Sequence, residues 1–203
     1  MTFISAVMTD LFLSVTADRR VTRLTPDGSC GQVLDEDTVK IFSVGINGFY
    51  SITGAADTAI AIMDATAFLS TVFSRIGIIR NSRLNQWLET NRELLRNEQN
   101  SFQLIFGGLT TEGTYKLFDL DSEEGVLESI VRAPILQYKV FSSAHFVDDE
   151  TLPAQWFEEM LVATPPRSLA HLQQLQSRLN DRGADRDPSV NNRVTEFILP
   201  FSD

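Results

Sequence analysis

Cysteine, histidine and long apolar runs are scarce in this chain, and each scarcity excludes a class of protein. The single cysteine, Cys30, cannot form an intramolecular disulfide, which suits a reducing cytosol. The two histidines, His145 and His171, have no metal-ligand spacing, so we expect neither a metal nor a cofactor. The early apolar run contains Asp10 and lacks the basic start and cleavage site of a signal peptide. No apolar run is long enough to span a bilayer, so we expect a cytoplasmic protein.

Acidic residues outnumber basic residues in this chain. The chain has 17 Lys and Arg against 27 Asp and Glu, a net charge of −10, which argues against nucleic acid or an anionic membrane as a partner. Its 203 residues, 43% hydrophobic and 22% charged, fit one globular domain over residues 1–203.

Hydrophobic periodicity predicts an alternation of strands and helix pairs. Strands are predicted over residues 3–8, 11–17, 39–44, 49–53, 103–108, 114–119, 135–142 and 194–199. Helices are predicted over residues 57–75, 81–97, 153–163 and 168–179, with Pro165 and Pro166 separating the last two. The polar stretch 180–192 is predicted to be a loop. Such an order suits two packed sheets with helices outside.

Thr2, directly after Met1, is the candidate nucleophile. If Met1 is removed, one residue carries both a hydroxyl and a free α-amine, and a threonine that uses its own amine as base is a known way to activate a weak nucleophile. Thr2 is small enough for removal of Met1 to be expected, and we expect no propeptide before it.

Three later residues complete the pattern. Asp18 follows Thr2 by 16 positions, and Lys40 precedes Gly54 by 14. Lys40 shares a strand face with Phe42, so its ammonium either reaches solvent at an edge or is buried with a carboxylate partner, for which Asp18 is the candidate. Asp18 could instead pair with a neighbouring surface arginine. Gly54, at a strand–helix junction, is either a simple turn or a backbone N–H donor to an oxyanion.

These residues, with the segment Ala-Asp-Arg-Arg-Val-Thr over 17–22, resemble those of proteasome β-type subunits, and the chain is similar to the bacterial HslV peptidase and other bacterial proteasome homologues. The resemblance covers most of the chain and is most specific in its first quarter. Between Asp18 and Lys40 the chain is longer than the family pattern, with residues 25–29 as the expected insertion. The resemblance implies an α+β fold, a four-layer αββα sandwich with two antiparallel sheets between helix layers.

The resemblance also implies a set of catalytic residues, namely Thr2, Asp18, Lys40, Gly54, Ser143 and Asp187. In this set Asp18 holds Lys40, which supports the threonine, and Gly54 binds the oxyanion. Ser143, with Ser142 as the alternative, falls at the family's Gly-Ser-Gly but lacks both glycines. Asp187 matches the family's Arg-Asp-x-x-Ser, although Ser189 lies one residue too close. Solvated serines and a surface aspartate are the competing interpretations.

Substrate contacts follow from the same resemblance. The backbone of Thr22 would pair with the substrate strand. The specificity pocket would be lined by Val21, Thr38, Phe42, Ile52 and Ala56. None of these is charged, which favours an apolar side chain before the cut; alternatively, they are ordinary core residues.

The resulting prediction is a threonine endopeptidase that acts on peptides or unfolded proteins within stacked homo-oligomeric rings of six or seven subunits. An ATP-dependent unfoldase is a further candidate partner. Two alternatives stay open: a ring scaffold without proteolysis, favoured by the lost glycines and the altered Asp187–Ser189 spacing, and an N-terminal nucleophile amidase for a small molecule.

Overall fold

The computed structural model describes residues 2–25, 30–96, 101–122, 125–141 and 151–201. The strands are β1 (Ile4–Met8), β2 (Phe12–Asp18), β3 (Val21–Leu24), β4 (Cys30–Asp35), β5 (Ile41–Val44), β6 (Gly48–Gly54), β7 (Phe102–Leu109), β8 (Tyr115–Asp121), β9 (Val126–Val131), β10 (Gln137–Phe141) and β11 (Val194–Pro200). The helices are α1 (Ala56–Ala65), α2 (Phe68–Val72), α3 (Asn81–Leu95), α4 (Leu152–Ala163) and α5 (Leu169–Arg186). Among these described residues, no helix is both long and apolar enough to cross a membrane.

The first of two compact units consists of Met1–Val7, Leu13–Lys40 and Tyr138–Ile198. It contains most of a four-stranded sheet ordered β10-β1-β2-β11, the antiparallel pair β3–β4, and helices α4 and α5. Buried Gln176 of α5 ties the helix to this sheet: its amide nitrogen donates to the Ser5 carbonyl oxygen at 3.0 Å, and its amide oxygen accepts from the Ser14 hydroxyl at 2.7 Å. These bonds offset the cost of burying the polar side chain.

The second unit consists of Met8–Phe12, Ile41–Gln137 and Leu199–Asp203. Its sheet is an antiparallel meander in sequence order, β5-β6-β7-β8-β9. A buried cluster joins this sheet to α1, α2 and α3, and Phe68 lies at its centre, with its ring centroid 4.7 Å from Trp87 and 5.3 Å from Phe106. Edge-to-face packing of this kind stabilises a core beyond the area it buries.

Two predicted helices need correction. The helix expected over 57–75 is divided into α1 and α2, because Ala67 adopts a left-handed conformation with φ 50°. The helix expected to end near residue 179 continues to Arg186, and the stretch predicted as a loop therefore begins as helix. Asn180 and Gly183 lie on the buried side of that extension, so a polar or small residue there marks close packing rather than a loop.

Three strands, β3, β4 and β9, were not predicted from the sequence. Among the described side chains of β4 and β9 none is buried, so these sequences lack the apolar pattern by which a strand is recognised. The strand predicted to begin at residue 39 begins instead at Ile41, which leaves Lys40 directly before β5.

Candidate active site

A buried ion pair between Lys40 and Asp18 is the centre of the candidate site. The Lys40 ammonium donates to Asp18 Oδ1 at 2.9 Å, and the two side chains are 7% and 0% exposed. The ammonium also donates to the backbone carbonyl of Arg20. Lys40 is therefore buried with a carboxylate partner, and its ammonium does not reach solvent at a strand edge.

The same carboxylate holds the start of the chain. Asp18 Oδ1 accepts the backbone N–H of Phe3 at 2.8 Å, and the Asp18 N–H donates to the Phe3 carbonyl at 3.1 Å. The Lys40 ammonium and the peptide that links Thr2 to Phe3 therefore share one acceptor oxygen. Thr2 itself is buried at 4% exposure. Thr2, Asp18 and Lys40, which are far apart in sequence, are thus brought into one cluster.

The residue that follows Thr2 packs closely against α5. Phe3 is buried, and a Cβ added at Gly183 of α5 would lie 3.1 Å from the Phe3 ring. Contacts that short are rare for real side chains, so glycine lets α5 approach the residue that follows Thr2. Periodicity could not reveal this contact, because it joins residues 180 positions apart.

Burial and pairing act in opposite directions on the charges of the ion pair. Burial raises the pKa of the Asp18 carboxyl, although the Lys40 charge and the N–H donors of Phe3 and Arg20 oppose it. Burial also lowers the pKa of the Lys40 ammonium, opposed by the Asp18 charge. A positive charge held in a poorly solvated place acts strongly on groups nearby.

Asp187 lies at the end of α5 and shapes the turn after it. It is fully buried; its Oδ1 accepts the Ser189 N–H at 2.8 Å, and its carbonyl accepts the Val190 N–H at 3.0 Å. Asp187, Ser189 and Val190 are therefore bonded within one tight turn. The Ser189 hydroxyl is fully buried and, within the described part of the chain, has no hydrogen-bond partner.

Sequence reasoning missed the part played by the Arg20 side chain. Its guanidinium bonds Glu36 and the carbonyls of Pro188 and Val190, while its main chain contacts both members of the ion pair. The consecutive arginines at 19 and 20 were the available signal, but nothing local distinguished one from the other.

The residues predicted to bind substrate belong to both units. Val21 and Thr22 lie in β3, whose ladder partner among the described residues is β4 alone. Thr38 is half-buried and donates its hydroxyl to Asp35 at 2.7 Å.

In the second unit, Phe42 of β5 is 41% exposed and stacks on Tyr50 at 5.0 Å, whereas Ile52 of β6 is 6% exposed. Ala56 opens α1 and is exposed. Gly54 ends β6 with φ +80°, a conformation that favours glycine, and Ala55 separates it from α1. The strand–helix junction predicted for Gly54 is therefore present.

Ser143 and its alternative Ser142 lie outside the described residues, as do residues 26–29 of the expected insertion. In the described ranges no group of three or more His, Cys, Asp or Glu side chains could hold a metal ion.

Comparison with known proteins defines the fold class. No protein-family model and no curated protein matches the sequence. Among solved structures, the chain has the fold of the proteasome-type N-terminal nucleophile hydrolases. The crystal structure of eukaryotic HslV from Trypanosoma brucei matches 99% of this chain and 100% of its own, with a TM-score of 0.63 and 14% sequence identity. The α+β fold expected from the resemblance is confirmed, and at this identity the match concerns the fold alone.

Proposed function

We propose that this protein is a threonine endopeptidase of a self-compartmentalising ring, with Thr2 as its N-terminal nucleophile. The observation that carries the proposal is the buried ion pair at the start of the chain. Asp18 holds both the Lys40 ammonium, at 2.9 Å, and the N–H of Phe3, at 2.8 Å. Burying two charges is costly, so an ion pair beside Thr2 suits a catalytic use better than a stabilising one.

The proposed reaction begins with a free Thr2 amine. The Thr2 hydroxyl attacks the carbonyl carbon of a peptide bond, and its proton passes to the Thr2 α-amine, directly or through water. An α-amine has an ordinary pKa of about 7.7–8.0. The positive charge of Lys40 favours the neutral, basic amine and stabilises the alkoxide that develops on the threonine.

The remaining steps complete the turnover. The Gly54 N–H would stabilise the tetrahedral oxyanion. Collapse of that intermediate transfers the proton to the leaving amine and forms an ester between the substrate acyl group and Thr2. Water, deprotonated by the same α-amine, then hydrolyses the ester and restores the free hydroxyl. Ser143 and Asp187 would orient the amine, and Thr22 would bind the substrate strand through its backbone.

Removal of Met1 is the condition on which this mechanism depends. With Met1 attached, the Thr2 nitrogen is an amide without a basic lone pair. Two preparations test this: one released from a cleavable leader so that it starts at Thr2, and one in which Met1 is retained. Hydrolysis of a fluorogenic peptide should follow the fraction of chains that start at Thr2, measured by intact mass. Full activity with Met1 wholly retained would exclude the mechanism.

A substitution series identifies the nucleophile. Thr2→Ala should abolish hydrolysis and Thr2→Ser should retain part of it, because serine keeps the hydroxyl and the amine. Thr111→Ala, in the exposed turn between β7 and β8, is the matched control and should behave as the unchanged protein. An inactive Thr2→Ala variant that still assembles normally would separate loss of chemistry from loss of structure. Retained hydrolysis in Thr2→Ala would end the proposal.

A further inference from the structure

Arg20 joins two parts of the chain that the proposed mechanism needs together. Its side chain reaches the turn after α5: Nη1 donates to the Pro188 carbonyl at 2.6 Å and to the Val190 carbonyl at 3.3 Å. This is the turn shaped by Asp187. The contacts span 168 and 170 positions of sequence.

The main chain of Arg20 contacts the ion pair on its other side. Its N–H donates to Asp18 Oδ2 at 3.0 Å, and its carbonyl accepts from the Lys40 ammonium. One residue therefore bonds to Asp18, to Lys40 and to the turn of Asp187. Movement of the Arg20 backbone would displace the acceptor of Lys40 and a donor to Asp18 together.

Glu36 anchors the guanidinium. Arg20 Nε donates to Glu36 Oε2 at 3.0 Å, and Asn191 Nδ2 donates to the same oxygen at 2.9 Å. Asn191 directly follows Val190, so the anchor belongs to the same loop that Nη1 binds. The planar guanidinium fork can direct Nε to a carboxylate and Nη1 to carbonyls at once, which a lysine ammonium on a flexible stem reproduces poorly.

We infer that Arg20 is a positioning residue, anchored by Glu36, that holds the Asp187 turn in register with the Asp18–Lys40 ion pair. Its effect on catalysis rests on the proposed function, whereas its effect on the turn does not. Arg20 is not assigned contact with substrate or with the reacting atoms.

Arg20→Gln is the principal test, and Arg19→Gln is its matched control. Arg19 is the adjacent arginine and also pairs with an acidic neighbour, Asp37, at 3.2 Å, but its side-chain bonds go to Asp37 and not to the turn. Amide hydrogen exchange of residues 187–191 is measured in both variants. We expect exchange at Ser189 and Val190 to become at least about ten-fold faster in Arg20→Gln and to stay unchanged in Arg19→Gln, because local opening sets exchange.

Kinetics of the preparation that starts at Thr2 form the second measurement. A misplaced catalytic group can cost about 100-fold in rate, so Arg20→Gln should lower kcat by about 10- to 100-fold with KM nearly unchanged. Arg20→Lys should recover less than half of the lost kcat, since it keeps the charge but not the fork. Glu36→Gln retains Arg20 but weakens its anchor, so it should speed exchange at residues 187–191 and lower kcat, each by a smaller factor than Arg20→Gln does. If Arg20→Gln does not fold, Glu36→Gln takes its place as the test.

The outcomes separate the inference from the proposed function. Unchanged exchange at 187–191 in both Arg20→Gln and Glu36→Gln overturns the inference whatever the activity. Faster exchange with an unchanged kcat overturns the positioning role. A kcat in Arg20→Lys equal to that of the unchanged protein also overturns it. If the unchanged protein starting at Thr2 hydrolyses no peptide, the proposed function fails, and exchange alone then decides whether Arg20 holds the turn.

Discussion

Replacement of Lys40 by methionine tests the energetics of the candidate site without any assumption about catalysis. Methionine keeps an apolar stem of similar length but removes the ammonium that donates to Asp18 at 2.9 Å. Asp18 is 0% exposed, so its carboxylate would stay buried without its cation. Breaking a buried pair in this way typically costs about 3–5 kcal/mol. Asp18 keeps the N–H donors of Phe3 and Arg20, so we expect a loss of about 3 kcal/mol in the free energy of unfolding.

Adding Asp18→Asn to Lys40→Met tests whether the lost stability comes from the unpaired buried charge. Asp18→Asn combined with Lys40→Met removes both charges, and the remaining amide mismatch should leave the double variant within about 1–2 kcal/mol of the unchanged protein. Each single variant should be less stable than the double. The coupling energy of the cycle is then several kcal/mol, as for residues in one network and unlike independent sites.

Urea unfolding followed by fluorescence provides the measurement, repeated at two protein concentrations so that any assembly equilibrium is detected. Lys116→Met is the control, because Lys116 pairs at 3.3 Å with Glu112, whose side chain is 59% exposed. Such a surface pair contributes about 0–1 kcal/mol. A loss below about 1 kcal/mol in Lys40→Met, or simple additivity in the double variant, would refute the reasoning.

The pH dependence of Lys40→Met has a definite sign. Burial raises the pKa of the Asp18 carboxyl and the Lys40 charge opposes that rise, so the pKa of Asp18 should be higher in Lys40→Met than in the unchanged protein. The stability lost in the variant should therefore be fully evident at pH values above the Asp18 pKa of the folded variant. It should shrink as the pH falls through that pKa, because the neutral acid needs no cation. A deficit that grows on acidification would contradict this account.

Three further predictions concern assembly, specificity and a backbone position. Light scattering should show stacked rings at micromolar concentration; a monomer alone would contradict the ring proposal. A peptide library should favour apolar residues before the cut, since none of the residues predicted to line the pocket is charged and a charged side chain there would lose water without gaining a partner; a profile led by Lys, Arg or Glu would rule out that pocket. Ala67→Gly should raise the free energy of unfolding by about 0.5–1 kcal/mol, because a φ of 50° strains alanine but not glycine. Ala61→Gly, inside α1, should lower the free energy of unfolding by about 1 kcal/mol. Equal effects of the two substitutions would show that Ala67 is not strained.

Local chemistry made much of the site predictable from the sequence. The spacings from Thr2 to Asp18 and from Lys40 to Gly54 can be counted directly, and the cost of burying an ammonium makes a carboxylate partner for Lys40 necessary if it is buried. Most strands were predictable because they are short apolar or alternating runs bounded by turn residues, and β1, for example, is buried along its whole length. The break between α4 and α5 followed from Pro165 and Pro166, which a helix interior does not tolerate.

Contacts between distant residues decided the rest. Helix α5 runs to Arg186 because Gln176 and Asn180 find hydrogen-bond partners in buried surroundings, and no local pattern predicts those partners. The left-handed Ala67 and the reach of Arg20 to Pro188 are likewise set by the packing around them. Sequence by itself determined which groups could do the chemistry, since that depends on residue type and short spacing. Only the tertiary structure decided which groups hold them in place, since that depends on bonds across most of the chain's length.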